Sequence, residues 1–76
     1  MQTTYELEAS GSNVFFKTYK NLTALEMELR IAHFPGRLSV VRPGINEEVA
    51  FGSQSDVLFA IKTARENGYK NLPSRA

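Results

Sequence analysis

Five glycines, Gly11, Gly36, Gly44, Gly52 and Gly68, cut a 76-residue chain into short segments, which leaves room for brief strands and medium helices and nothing longer. Glycine adopts positive φ without steric cost, and Asn, Ser and Pro are its usual companions in turns. Around these breaks the pattern of apolar residues is readable. Thr4 to Ala9 alternates, with Tyr5, Leu7 and Ala9 on one side and Glu6 and Glu8 on the other, the period of a half-buried strand. Ser10-Gly11-Ser12-Asn13 is turn chemistry, and Val14 to Tyr19 resumes in aromatic and β-branched residues, so the chain opens on a hairpin. A helix over Leu22 to His33 follows, capped by Asn21 or by Thr23, which stands at capping-box spacing from Glu26. Pro35-Gly36 ends it, because proline disfavours the helical conformation in the residue before it.

The second half repeats the plan. Arg37 to Arg42 reads as a strand, Pro43-Gly44-Ile45-Asn46 as a turn, and Glu47 to Phe51 as a strand. Ser53 or Ser55 caps a helix from about Gln54 to Asn67, with Asp56 in the first turn and Asn67-Gly68 at the end. Sliding the chain by 33 positions places Leu7 on Val40, Gly11 on Gly44, Asn13 on Asn46 and Leu25 on Leu58, matches that an internal duplication would give and that two hairpins and two helices of any origin would give in part. The expected fold is α+β in the order ββαββα: one domain over residues 1–76, built of halves at about 3–34 and 37–68 and a tail over 69–76. Its four-stranded, largely antiparallel sheet carries both helices on one face. A chain this short buries only about 60% of its unfolded surface, so its core is small.

Helical phase sorts the side chains. Leu22, Leu25, Leu29 and Ala32 share one stripe of the first helix, and Val57, Ala60, Ile61 and Ala64 share one stripe of the second; both stripes are read as core. Met27, Ile31 and Phe34, at i, i+4 and i+7, form a second apolar stripe where solvated residues are expected, and Phe59 points away from the core among Lys62, Thr63 and Glu66. A cluster of exposed apolar residues on a small domain marks a contact surface. Three occupants compete for it: the tail from Tyr69 to Ala76 folding back, a second copy of the chain, and a foreign protein. The leading expectation is a small non-enzymatic module that works through protein contact at Met27, Ile31, Phe34 and Phe59. Compact stand-alone binders of this size occur among regulatory proteins, inhibitors and phage or plasmid accessory proteins, a base-rate argument.

The alternative is nucleic-acid binding through the open face of the sheet, with Phe15, Lys17, Tyr19 and Arg37 as an aromatic and basic platform. Charge gives it partial support. Residues 1–38 balance four cations against four carboxylates, whereas Lys62, Arg65, Lys70 and Arg75 oppose only Glu66 at the C-terminal end, and the whole chain carries +1. The glutamates on the first strand argue against the platform, and cations at a helix C-terminus also serve the helix dipole.

Chemistry finds little material. There is no cysteine and a single histidine, His33, assigned to capping the first helix C-terminus. No two-histidine metal site, phosphate-binding glycine loop or nucleophile–base pair can be assembled, so neither an enzyme nor a cofactor is expected. Ser53 and Ser55 beside Asp56 are accounted for by capping, and Glu47 and Glu48, being adjacent in a strand, face opposite ways. A toxin-type ribonuclease built on Lys, Arg, Tyr and one His is the second alternative. The N-terminal residues lack a signal-peptide pattern and no apolar run approaches a membrane span, so the expected address is the cytoplasm. The sequon Asn21-Leu22-Thr23 is read as a helix start.

Overall fold

Two hairpins, each followed by a helix, make up the chain in the order β1 (Tyr5–Ser10), β2 (Phe15–Tyr19), α1 (Leu22–Ile31), β3 (Arg37–Arg42), β4 (Glu47–Gly52) and α2 (Gln54–Glu66). This is the α+β order expected from the sequence. The computed structural model describes residues 4–10, 15–34 and 36–74, with Phe15 and Phe16 described by their backbone alone. The first turn, with Gly11 and Asn13, lies outside the described residues, as do Pro35 and the last two residues of the tail. Among the described residues no helix is long and apolar enough to cross a membrane.

The sheet is antiparallel throughout, in the order β2-β1-β3-β4. Both central strands come first in their hairpins, and they pair with Leu7 opposite Val40. The 33-residue offset holds in the ladder itself. Tyr5, Glu6 and Leu7 pair with Tyr19, Thr18 and Lys17, and 33 positions later Leu38, Ser39 and Val40 pair with Gly52, Phe51 and Ala50. An approximate two-fold axis normal to the sheet therefore passes near the Leu7–Val40 pair and relates the halves. The match ends at a bulge between Val40 and Val41, where β4 carries one extra residue and both Val49 and Ala50 are buried. In the second turn Asn46 rather than Gly44 adopts the left-handed conformation, with φ 51°, and its N–H donates to the Arg42 carbonyl at 2.8 Å.

Alternation along β1 is as read: Tyr5, Leu7 and Ala9 are buried against the helices, while Glu6, Glu8 and Ser10 face the other way. Leu22, Leu25 and Leu29 of α1 and Val57, Ile61 and Ala64 of α2 cover that surface, with Ala24, Ala32, Leu58 and Ala60 packed at the margin. Burial of apolar area from both layers is the main stabilising term, at roughly 25 cal/mol per Å².

Asn21 caps α1, its Oδ1 accepting from the Ala24 N–H at 2.8 Å. Ser53 and Asp56 form a reciprocal capping box on α2. The far end of α1 departs from expectation. The helix stops at Ile31, with Ala32 already extended at φ −110° and ψ 151°, and the Gln54 side chain closes it. Gln54 Nε2 donates to the Leu29 carbonyl and, at 2.8 Å, to the Ala32 carbonyl, while its Oε1 accepts from the Phe34 N–H at 3.0 Å. His33, assigned that role from sequence, is exposed.

Candidate protein-contact face on the helix layer

The two helices present a continuous outer surface. Glu26, Met27 and Arg30 of α1 and Lys62, Arg65 and Glu66 of α2 line a groove between them, and past Arg30 and Lys62 it continues to Ser55, Leu58 and Phe59. Glu26 holds the groove's α1 side to its α2 side: it pairs with Arg30 at 3.4 Å and with Arg65 at 3.3 Å, and Arg65 Nη2 donates to Thr23 Oγ1 at 3.2 Å. The arginines of both pairs are open to water, and surface pairs contribute about 0–1 kcal/mol each, so they orient side chains more than they stabilise the fold. Against this charged setting stand three large apolar side chains, Met27 at 60% exposure, Ile31 at 81% and Phe59 at 68%. These are three of the four residues singled out from sequence.

Phe34, the fourth, is not part of that surface. It is 9% exposed and belongs to the core. Its expected position came from continuing helical phase through His33, but the helix ends at Ile31 and Gln54 fixes the Phe34 backbone where the chain turns inward. The second correction concerns the tail. It does fold back, but onto the end of the sheet. The Tyr5 hydroxyl donates to Asn71 Oδ1 at 3.3 Å and accepts from the Leu72 N–H at 2.9 Å, Arg42 Nη1 donates to the Leu72 carbonyl at 2.8 Å, and Ser74 Oγ donates to Glu47 Oε2 at 2.5 Å. Leu72 is buried there, and among the described residues none covers Met27 or Ile31, which stay exposed.

The N-caps of the two helices, Asn21 and Ser53, are 32 residues apart, and the same offset carries buried Leu25, Leu29 and packed Ala32 onto buried Val57, Ile61 and Ala64. The offset of 33 that equated Leu25 with Leu58 is one residue too long in the helices; Leu58 is only partly buried. With the helical offset, Met27 corresponds to Phe59 and Arg30 to Lys62. Each helix thus shows an exposed apolar side chain followed three residues later by a cation, and the outer surface shares the two-fold relation of the halves.

The proposed platform on the open sheet face is dispersed by the strand register. Lys17 and Tyr19 pair with Leu7 and Tyr5, which places them on the helix side, and Phe15 pairs with Ala9, its side chain outside the described residues. Lys17 Nζ lies 3.4 Å from Glu28 of α1 and 5.3 Å from the centroid of the Tyr19 ring. Tyr19 is buried, and burial together with neighbouring Glu28 pushes its phenol up to about 12. Arg37 alone is on the open face, stacked over Phe51 at 4.9 Å. The rest of that face is acidic: Glu6, Glu8 and Glu48 stand among Thr18, Ser39 and Val41, with Ser39 Oγ donating to Glu48.

Among the described residues no three His, Asp or Glu side chains gather in a way that could hold a metal ion. Sequence reasoning also missed Gln54 and Tyr5 as the residues that tie helix and tail in place; each is a polar side chain reaching a partner at least 20 positions away, and no local pattern signals that. Compared with family models, curated protein sequences and solved structures, the chain matches none, and the geometry above is what a functional reading rests on.

Proposed function

We propose that this chain is a small non-enzymatic cytoplasmic module that acts through protein contact, with the outer face of α1 and α2 as its binding surface. The observation that carries the reading is the grouping of Met27, Ile31 and Phe59, each more than half exposed, on one face of an 8.5 kDa domain. Contact surfaces are enriched in Met, whose flexible thioether adapts to irregular partner pockets, and in aromatic side chains, and have a polar rim. Arg30, Lys62 and Arg65 supply that rim.

The test compares capture of proteins from the native host's lysate by the wild-type chain, by Met27→Glu/Phe59→Glu and by Glu8→Lys. A protein retained by wild type and Glu8→Lys after nuclease treatment, and lost by the double variant, supports the reading. Capture that survives Met27→Glu/Phe59→Glu overturns it. Material lost on nuclease treatment, or binding that weakens steeply between about 50 and 200 mM salt, transfers the weight to nucleic acid.

A further inference from the structure

We propose that the partner of the outer helix face is an acidic peptide segment carrying a large apolar side chain, seated on both sides of Phe59; the inference rests on the contact-surface reading above. Phe59, 68% exposed, borders two hollows. On one side Ser55, Leu58, Phe59 and Lys62, at i, i+3, i+4 and i+7, form one stripe of α2 and share a hollow of about 400 Å³ with Arg30 of α1. On the other, a hollow of about 370 Å³ between α2 and the tail is lined mainly by Val49, Ala60, Ala64, Leu72 and Pro73. Both lie at the low end of the range of ligand pockets, roughly 300–1,000 Å³, a size that suits a few side chains of a partner.

Charge selects the occupant. Among the described residues no carboxylate lines either hollow, whereas two cations, Arg30 and Lys62, line the first. Arg30 is shared with Glu26 at 3.4 Å, but Lys62 is exposed and forms no ion pair among the described residues. The Ser55 hydroxyl beside it is also exposed, and it is not spent on capping, because Ser53 caps α2. An ammonium, a guanidinium and a hydroxyl all donate to a carboxylate, and a cationic partner would meet like charge. The second hollow has the opposite character, and what fills it with gain is an apolar side chain. A polyanion matches this face poorly. Nucleic-acid binding rests on many neutralised phosphates, and two cations beside an apolar hollow supply few.

Selection from a displayed library of random peptides, with the full-length chain immobilised, tests the inference. The expected pool is enriched in Asp and Glu around Phe, Leu or Met. A synthetic peptide of the enriched sequence, followed by fluorescence anisotropy, should bind about 30-fold more weakly to Met27→Glu/Phe59→Glu and about 10-fold more weakly to Lys62→Glu, with unchanged far-ultraviolet circular dichroism spectra. Arg30→Glu/Lys62→Glu should select basic peptides from the same library, a reversal that a merely structural role of these side chains would not produce. An empty pool, a pool without acidic enrichment, or an Arg30→Glu/Lys62→Glu pool that stays acidic overturns the inference. So does a single-stranded oligonucleotide that binds this face more tightly than the selected peptide, or self-association of the wild-type chain in sedimentation equilibrium that Met27→Glu/Phe59→Glu abolishes. Neutral peptides that bind wild type and are lost by Met27→Glu/Phe59→Glu remove only this inference and leave the contact-surface reading standing; binding indifferent to that double substitution removes both.

Discussion

The two ββα halves share a ladder register and solve their junctions differently. In the first, Tyr19-Lys20-Asn21 leads from strand to N-cap; in the second, Gly52-Ser53 makes the same passage with one residue fewer. Gly52 makes the shorter route feasible by adopting φ 121°, a conformation that side chains resist, and the saved residue is why the offset falls from 33 in the strands to 32 in the helices. The helix ends differ too. α2 closes itself, with the Gly68 N–H donating to the Arg65 carbonyl at 3.0 Å and Tyr69 to the Ala64 carbonyl at 2.9 Å. α1 depends on Gln54 from the other half. Similar topology has therefore not made independent units: the second half completes the first.

Core truncation gives the largest expected effect and tests the helical offset. Leu25→Ala should cost about 3 kcal/mol and Val57→Ala about 2, since both are fully buried and leave cavities, whereas Leu58→Ala at the margin should cost about 1. Urea denaturation of the three variants ranks them. If Leu58→Ala proves as costly as Leu25→Ala, the halves correspond at 33 throughout and the equivalence of Met27 with Phe59 fails.

The junction comes next. A Cβ at Gly52 would lie 2.6 Å from Asp56 Oδ2 and 2.9 Å from Asp56 Cβ, so Gly52→Ala strains the backbone and displaces the capping box, at about 2–3 kcal/mol. Inserting one residue immediately before Ser53 in the Gly52→Ala variant would copy the first half's route and should recover part of the loss; no recovery would mean that the short passage is not what requires glycine. At the other junction Gln54→Ala leaves two carbonyls and the Phe34 N–H without their partner, worth about 2 kcal/mol. The loss should appear in hydrogen exchange as faster opening of the last turn of α1, with the α2 amides less affected.

These junctions also mark where sequence was sufficient. All six elements were legible, because strand alternation, Pro and Gly breaks and capping residues are local signals; Arg37–Arg42 has the expected bounds. The register of β2 was not, since Phe15 to Tyr19 is apolar enough on both sides to allow either phase, and only pairing with β1 settles it. Met27, Ile31 and Phe59 were legible as exposed because they lie within regular helix. Phe34 was misplaced because one long-range side chain, Gln54, ends the helix two residues before the pattern does.

The smallest effect at neutral pH belongs to a feature the second half lacks. Tyr5 and Tyr19 are cross-strand partners in the first hairpin, and their counterparts in the second are Leu38 and Gly52. Both phenols are raised, Tyr5 chiefly by burial and Tyr19, to about 12, by burial and by Glu28. An acid with its folded pKa above its unfolded value of about 10 gives stability that is intact below pH 10 and is lost as pH rises toward the folded value. The first hairpin should therefore loosen between about pH 10 and 12 while the second does not share that trigger. Tyr19→Phe should change stability little at pH 7 and should flatten the decline above pH 10. Lys17 lies over the same ring, so the readout is the difference between wild type and Tyr19→Phe in urea midpoint at pH 7 and pH 11. Parallel declines in the two proteins would show that the alkaline limit is set elsewhere in the molecule.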